Sequence, residues 1–305
     1  MQGIYALTQS HDESLQKQEK FLKVSIENMY TLYLTMLSLL AELHRYAENR
    51  EELAAKRYLT DTGAVTYPNK DKFIQNKVLL QLANNAALIE EMELRKLSPW
   101  YLNEEYVKII YNEVVNSPLY ATYMVKPNST YAEDKQFVLT MFKEIVAPNE
   151  KVYDYFEDDK LTWVDDIPTV NTFILKSLKK VTEGELESYF LPSLLKDEED
   201  LIYAKRLLTK TLLNDSALSK EIEGKTPNWD NDRIAEIDMI LMKMAITELL
   251  HFPSIPERVT INEYLEIAKE YSTPKSSIFI NGILDKLTKE FKEEGKLKKM
   301  GRGLL

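Results

Sequence analysis

The sequence contains no cysteine among its 305 residues, and it has only eight glycines and three histidines. The lack of cysteine excludes disulfides, cysteine zinc sites, iron–sulfur clusters and thiol nucleophiles. His11, His44 and His251 are too far apart in the chain to form the close pairs that histidine metal sites use. Scarce glycine disfavours hairpin-rich sheets and phosphate-cradling loops. We therefore expect an all-α protein with no metal, no cofactor and no catalytic residues.

Long apolar runs are also absent. A bilayer span needs about 18 predominantly apolar residues. The best candidate, Met29–Leu43, is interrupted by polar residues at Thr31, Thr35, Ser38 and Glu42. The N-terminus lacks the basic segment and apolar stretch of a signal peptide. These features predict a cytoplasmic protein with no membrane partner.

The charge is acidic in total but unevenly distributed. The net charge is −10, from 39 basic and 49 acidic residues. From Tyr271 to the end, however, there are eight basic and four acidic residues. The total disfavours bulk affinity for nucleic acid, so any contact with a polyanion should use the C-terminal end.

The first sixty residues predict two helices, Met1–Ser10 and Leu22–Leu59. In the second, Ile26, Met29, Tyr30, Tyr33, Leu37 and Leu40 follow three- and four-residue steps. A break follows at Asp61–Asn69, where Thr62-Gly63 and Tyr67-Pro68 stop any helix. This pattern predicts an N-terminal helical unit over residues 1–62.

The three tryptophans recur at nearly one spacing, because Trp100, Trp163 and Trp229 are 63 and 66 residues apart. Each follows an asparagine by 14 or 15 residues, and an aspartate lies farther upstream (Asn85, Asn149 and Asn214; Asp71, Asp134 and Asp200). The pattern predicts three helix-loop-helix units of about 65 residues. Two units form an inserted region, 63–195, and the third belongs to a C-terminal domain, 196–305. Chance spacing is the alternative, and the tryptophans themselves are expected to be core anchors rather than RNA-stacking platforms.

The C-terminal domain contains the clearest local signals. Asp230 or Asp232 can cap a helix from Arg233 to about Leu250, and its Ile237–Ile246 stretch is apolar on nearly every face. Such a helix is expected to be central and buried. Asp238 within it is interpreted as a structural carboxylate, bonded to Arg233 or to a helix N-terminus, rather than a catalytic one.

Two further helix starts follow. Thr260-Ile261-Asn262-Glu263 has the form of a capping box, and the helix it begins is expected to end near Tyr271. Ser272-Thr273-Pro274 then supplies a hydroxyl cap and a first-turn proline for the last helix.

The last helix has two different stripes of residues. Ile280, Ile283, Leu284 and Leu287 form a core stripe, and Lys275, Phe279, Gly282 and Lys286 share another stripe about 120° away. An aromatic ring between two lysines, with a glycine opening space, suits single-stranded RNA. The Ser276 and Ser277 hydroxyls and the first amides could hold a phosphate. The alternative is that Phe279 completes the core edge and the lysines are an ordinary solvated face.

The same segment resembles the C-terminal domain of the NusB family, through Trp229, Asp232-Arg233-Ile234, Val259-Thr260-Ile261-Asn262-Glu263 and Phe279-Ile280-Asn281-Gly282-Ile283-Leu284-Asp285-Lys286. The greater length of this chain resembles the expanded members of the Bacteroidetes lineage. The resemblance implies a non-enzymatic transcription antitermination factor. Such a factor binds the boxA element of nascent RNA together with ribosomal protein S10 in an RNA polymerase antitermination complex.

The resemblance also implies particular contact residues. Gln2-Gly3-Ile4-Tyr5 is similar to the family's first helix, whose tyrosine contacts RNA, so Tyr5 is a candidate. Lys275, Ser276 and Phe279 match positions beside the RNA. Lys275 stands where the family commonly has an acidic residue, which should favour phosphate.

The sequence is also compatible with two other functions. A helical interaction scaffold that has lost RNA binding is favoured by the absence from this sequence of the family's arginine-rich stretch ahead of Tyr5. An enzyme has the weakest basis, because the carboxylates follow helix-surface spacing and no nucleophile constellation accompanies them.

Overall fold

The computed structural model describes residues 1–10, 14–57, 67–195, 197–223, 225 and 234–300. Within these ranges the regular structure is helical and contains no strand, which confirms the predicted all-α class. Two short 3₁₀-helices, Lys70–Lys72 and Glu187–Phe190, and a π-helical turn, Phe142–Val146, accompany the α-helices. The α-helices are α1 (Gln2–Ser10), α2 (Leu15–Arg57), α3 (Lys77–Ala83), α4 (Ala86–Leu94), α5 (Pro99–Leu102), α6 (Glu104–Val115), α7 (Pro118–Met124), α8 (Tyr131–Met141), α9 (Glu150–Asp159), α10 (Trp163–Lys180), α11 (Glu198–Leu213), α12 (Asp215–Ile222), α13 (Glu236–His251), α14 (Glu257–Tyr271) and α15 (Ser276–Glu293).

The chain forms two compact units. The C-terminal unit comprises Met1–Val24 and Leu195–Leu305, and the middle unit comprises Ser25–Leu194. This grouping differs from the predicted N-terminal unit 1–62, because Ile4 and Leu22 pack into the core of the C-terminal unit. The boundary near residue 195 is the same in both divisions.

Helix α13 lies at the centre of the C-terminal unit, where α1, α11, α12, α14 and α15 all pack against it. Its buried residues lie on every face, as predicted: Ile240, Leu241, Met242, Met244, Ala245, Ile246 and Leu249. Buried Glu248 accepts hydrogen bonds from the hydroxyls of Tyr203 and Tyr264, which compensates its loss of water. The helix begins at Glu236, after Ala235, so the predicted start at Arg233 is wrong. Arg233 itself, the predicted caps Asp230 and Asp232, and Trp229 lie outside the described residues.

The predicted capping box at Thr260 is wrong, because α14 begins at Glu257, one turn earlier. Pro256 precedes the helix, and its carbonyl accepts the amides of Val259 and Thr260 at 3.0 and 3.1 Å. The fixed φ of proline suits the residue before a helix. The first turn of α14 therefore forms directly after Pro256, before Thr260. Thr260 is buried inside the helix, and its hydroxyl has no hydrogen-bond partner among the described residues.

Helix α2 plays the same central part in the middle unit. Its segment over residues 30–43 is buried on nearly every face, including Leu32, Leu34, Met36, Leu37, Leu39, Leu40 and Leu43. The sequence predicted a single apolar stripe and a start at Leu22, whereas the helix begins at Leu15. The threonines and serines among the leucines made this segment look partly exposed in the sequence. Small hydroxyl side chains are nevertheless tolerated in a core when they donate a hydrogen bond to a carbonyl of their own helix. Ser38 Oγ, for example, donates to the Thr35 carbonyl at 2.9 Å.

Trp100 and Trp163 are buried anchors, as predicted. The indole N–H of Trp100 donates to the Thr35 carbonyl at 3.1 Å, and that of Trp163 donates to the Asn28 carbonyl at 2.8 Å. Both acceptors are on α2, so each tryptophan fixes its segment to the central helix.

The asparagines that recur ahead of these tryptophans are helix caps. Asn85 accepts the Leu88 amide at the start of α4, and Asn149 accepts the Lys151 and Val152 amides at the start of α9. Asn214 precedes α12 without a side-chain cap bond. The aspartates do not share one role, since Asp134 is buried in α8 whereas Asp200 lies in the exposed first turn of α11.

The described residues contain neither a membrane-spanning helix nor a metal cluster. None of their helices has the length and apolar character to cross a membrane. No group of three or more histidine, aspartate or glutamate side chains in these ranges is close enough to hold a metal ion.

Candidate nucleic-acid interface

Helix α15 packs against α13 and α14 through the predicted core stripe, and Ile280, Ile283, Leu284 and Leu287 are all buried. The second stripe also lies where it was predicted. Lys275, Gly282 and Lys286 are exposed, and Phe279 is half-buried. The helix therefore brings these four residues together along one outward side.

Phe279 packs in part against the core of the C-terminal unit. Its half-burial is compatible with both predictions from the sequence, that Phe279 completes the edge of the core and that it contacts RNA. Ring area that is held by the core and still reaches solvent is a suitable stacking platform, because little side-chain freedom remains to be lost on binding.

Gly282 lies in the interior of α15, where a Cβ would meet no atom within 4 Å. Glycine in a helix interior costs about 0.5–1 kcal/mol relative to alanine. Internal packing does not require this glycine. The space that it leaves on the outward side, one turn from Phe279, is open to a ligand.

Ser276 is buried rather than exposed, with 2% of its surface accessible. Its hydroxyl donates to Asp238 Oδ2 at 2.7 Å, while Ser272 Oγ donates to Asp238 Oδ1 at 2.6 Å. Ser276 Oγ also accepts the Thr273 amide at 3.2 Å. The predicted bond of Asp238 to a helix start is thus present, and the Ser276 hydroxyl fixes that start instead of facing a phosphate. Lys275 lies between the two serines, so this cluster determines its position.

Tyr5 lies on α1 and is 40% exposed, next to buried Ile4. Helix α1 is held by Glu236, whose carboxylate accepts Thr8 Oγ1 at 3.0 Å and Gln9 Nε2 at 2.6 Å. Glu236 and Asp238 both belong to the first turn of α13 and point about 200° apart. The helix of Tyr5 and the start of the helix that follows Lys275 are therefore both bound at the same end of α13. They are bound on different sides of its first turn.

Two exposed residues of α15 were missed. Lys289 follows Lys286 by three residues on the outward side, and Ile278 is 75% exposed beside Phe279. The three-residue lysine spacing was visible in the sequence. Ile278 was visible as well, because at 100° per residue it lies on the side of the helix opposite the core stripe.

The lysines of this surface differ from their neighbours in charge pairing. Lys292 and Lys296 form ion pairs with Glu257 and Glu221 at 2.6 and 3.1 Å. Within the described part of the chain, Lys275, Lys286 and Lys289 have no carboxylate at ion-pair distance. We define the α15 surface as Lys275, Ile278, Phe279, Gly282, Lys286 and Lys289. Its ammonium groups extend over about 20 Å of helix at 1.5 Å per residue.

Sequence comparison places this surface in a known family. The model of the NusB family matches residues 171–289. A segment of 103 residues, 34% of this chain, is 43% identical to the transcription antitermination protein NusB of Salinibacter ruber and covers 64% of that protein. A segment of 93 residues, 30% of this chain, is 43% identical to NusB of Clostridium botulinum and covers 70% of it. The chain belongs to the NusB family.

A third NusB relative, from Chloroherpeton thalassium, is 43% identical over 107 residues, which are 35% of this chain and 50% of that protein. The chain thus spans between half and two thirds of the length of the Salinibacter and Chloroherpeton relatives. The family match contains α13, α14 and the whole α15 surface, whereas Tyr5 and most of the middle unit precede it. No solved structure matches this chain.

Proposed function

We propose that this NusB-family protein is a non-catalytic transcription antitermination factor that binds boxA-type single-stranded RNA through the α15 surface. The observation that carries the proposal is the group of three lysines, with no carboxylate partner among the described residues, around half-buried Phe279 and open Gly282. The relatives are named transcription antitermination proteins, which supports the role.

The chemistry of the surface matches one face of a single strand. A base stacked on Phe279 would contribute about 1–3 kcal/mol, and every base has a suitable face. Three phosphates neutralised by Lys275, Lys286 and Lys289 give an expected slope of log affinity against log salt of about −2. The similarity of Gln2-Gly3-Ile4-Tyr5 to the family's first helix makes Tyr5 a further candidate contact for the strand.

The net charge of −10 opposes binding of a polyanion over the whole molecule. We therefore expect weak binding of RNA alone and tighter, selective binding with ribosomal protein S10. Assembly with RNA polymerase in an antitermination complex would follow from the same role.

Fluorescence anisotropy tests the proposal directly. Labelled boxA RNA and a scrambled RNA of equal length are titrated with the full chain, with and without purified S10, at two salt concentrations. We expect boxA to bind more tightly than the scrambled RNA and S10 to increase that difference. Equal binding of both RNAs under all conditions contradicts the proposal.

A protein-interaction scaffold is the second candidate. The middle unit favours it, because residues 25–194 contain 26 acidic and 18 basic residues, a net charge of −8, and expose Tyr101 and Leu102. A pull-down with the purified chain that recovers S10 or RNA polymerase but no boxA RNA would favour the scaffold over RNA binding.

A further inference from the structure

The middle unit contains an open cavity of about 290 Å³ between α2, α4 and the segment that leads into α5. Leu82, Leu88 and Trp100 line it as buried residues, and Ile89 and Met92 line it from α4. Most of this lining is apolar. A cavity of this size accepts one or two large apolar side chains rather than a whole drug-sized ligand.

The floor of this cavity is rigid. The Trp100 indole N–H donates to the Thr35 carbonyl at 3.1 Å and to Ser38 Oγ at 3.0 Å. The same ring contacts those of Tyr155 and Phe156, with centroids 5.3 and 6.3 Å away. A pocket whose floor is fixed before binding loses little conformational entropy when an anchor residue enters it.

Large apolar side chains are exposed in the chain segment that forms one side of the cavity. Tyr101 lines the cavity and is 86% exposed, Leu102 beside it is 77% exposed, and Leu94 at the end of α4 is 71% exposed. Isolated exposed apolar residues are ordinary, but three within nine residues, one of which lines an apolar cavity, are typical of a binding surface.

The charges of the rim indicate which partner fits. Glu90 and Glu93 are exposed on α4 and have no cation at ion-pair distance among the described residues. The one arginine in the lining, Arg45, is already bound by Glu42 and by the Ala83 carbonyl, the latter at 2.9 Å. Lys96, which follows α4, is exposed and has no carboxylate at ion-pair distance among the described residues either. Glu90, Glu93 and Lys96 together leave a net charge of −1 near the groove. An RNA strand would be repelled, whereas lysines or arginines flanking an apolar anchor would be attracted.

We propose that this groove of the middle unit, formed by Ile89, Met92, Glu93, Trp100 and Tyr101, binds a basic amphipathic segment of a partner protein. An apolar side chain of the segment fills the cavity above Trp100, and its cationic residues face Glu90 and Glu93. Tyr101 and Leu102 cover the rest of its apolar face. The site is separate from the α15 surface and does not depend on RNA binding.

The test uses two dye-labelled helical peptides of 14 residues, one of leucine and lysine in an amphipathic repeat and one with every lysine replaced by glutamate. Their binding to the full-length protein is followed by anisotropy at physiological ionic strength. We expect the leucine–lysine peptide to bind and the leucine–glutamate peptide not to bind. The double variant Tyr101→Ser, Leu102→Ser should weaken binding at least tenfold, and Glu90→Lys with Glu93→Lys several-fold.

Leu161→Ser is the matched control, since Leu161 is 71% exposed beside the other buried tryptophan, Trp163, and lies outside the groove. It should leave peptide affinity unchanged. All of these side chains are exposed, so melting temperature should be retained, and boxA binding should be the same in every variant. Absence of peptide binding, equal binding of both peptides, or equal losses in Leu161→Ser and the Tyr101 variant would each overturn the proposal. None of these results bears on the α15 surface.

Discussion

The two units are built on the same plan and differ in what they expose. Each surrounds a helical segment that is buried on nearly every face, residues 30–43 of α2 in the middle unit and α13 in the C-terminal unit. Each also contains a buried aspartate, Asp134 and Asp238, that accepts hydrogen bonds from side-chain hydroxyls. The two units thus share a packing arrangement, and the difference between them lies in their exposed residues.

The aspartates are used differently. In the middle unit Asp134 accepts from Tyr123 at 2.6 Å, from Ser129, and from the Lys77 amide at 2.9 Å, so it joins α3, α7 and α8 inside the core. Burial and this carboxylate raise the pKa of Tyr123. In the C-terminal unit Asp238 instead fixes the first turn of α15, from which Lys275 projects. One cluster stabilises a core and the other also positions a surface.

Loss of either aspartate should have the largest effect on stability. Asp134→Ala and Asp238→Ala each leave buried donors unpaired, so we expect the free energy of unfolding to fall by about 2–4 kcal/mol. Urea unfolding followed by circular dichroism measures this change. At a temperature where both variants remain folded, only Asp238→Ala should also weaken boxA binding.

Asp238→Asn sharpens this comparison, because the amide keeps one acceptor for a serine hydroxyl and should recover part of the affinity. Equal losses of RNA binding in the Asp134 and Asp238 variants would show that the clusters do not differ as described.

Charge reversal on the α15 surface comes next in size. Lys275→Glu should weaken boxA binding about tenfold and make the salt slope shallower by at least about 0.7, since one phosphate contact is lost. Lys176→Glu is the control, because Lys176 is an exposed lysine of the middle unit. Anisotropy titrations at several salt concentrations give both quantities. Similar losses in the two variants would point to net charge rather than to a site.

Gly282→Ala should separate stability from binding. The substitution meets no neighbouring atom and improves helix propensity, so the free energy of unfolding should rise by about 0.5–1 kcal/mol. If RNA occupies the space beside Phe279, the added methyl should weaken binding several-fold. Gly184→Ala, also in open space but in a turn of the middle unit, is the control and should not change RNA affinity. If the Gly282→Ala protein is more stable and binds RNA with unchanged affinity, Gly282 is not part of the RNA-binding surface.

The smallest predicted effect concerns pH and the middle unit. Burial, and secondarily the charge of Asp165, raises the pKa of Asp166 to about 6. The unfolded chain titrates this group near pH 3.9, so the folded state binds its proton more tightly, and the contribution of Asp166 to stability falls as pH rises from about 4 through about 6. Asp166→Asn should abolish that loss and stabilise the protein at pH 7.5 by less than about 1 kcal/mol, because the group is partly exposed. Thermal unfolding at pH 5 and 7.5 measures it, with exposed Asp158→Asn as a control that shows no such dependence.

Much of the fold could be predicted from local pattern. The central α13, the two stripes of α15 and the anchoring role of Trp100 and Trp163 all follow from residue periodicity and side-chain chemistry. Prediction was wrong or incomplete where a proline one turn upstream was overlooked or where a residue far away in the chain decided the outcome. Pro256 moved the start of α14, and Asp238 drew Ser276 into the interior.

The sequence by itself determined the helical class, the buried character of α13 and the set of lysines and the aromatic ring on one side of α15, because these depend only on spacing along a helix. The tertiary structure alone decided that α1 joins the C-terminal unit, that Ser276 is buried, and that Trp100 forms the floor of an open groove. Each of these depends on contacts between segments far apart in the chain. Burial is a property of those contacts rather than of any one segment.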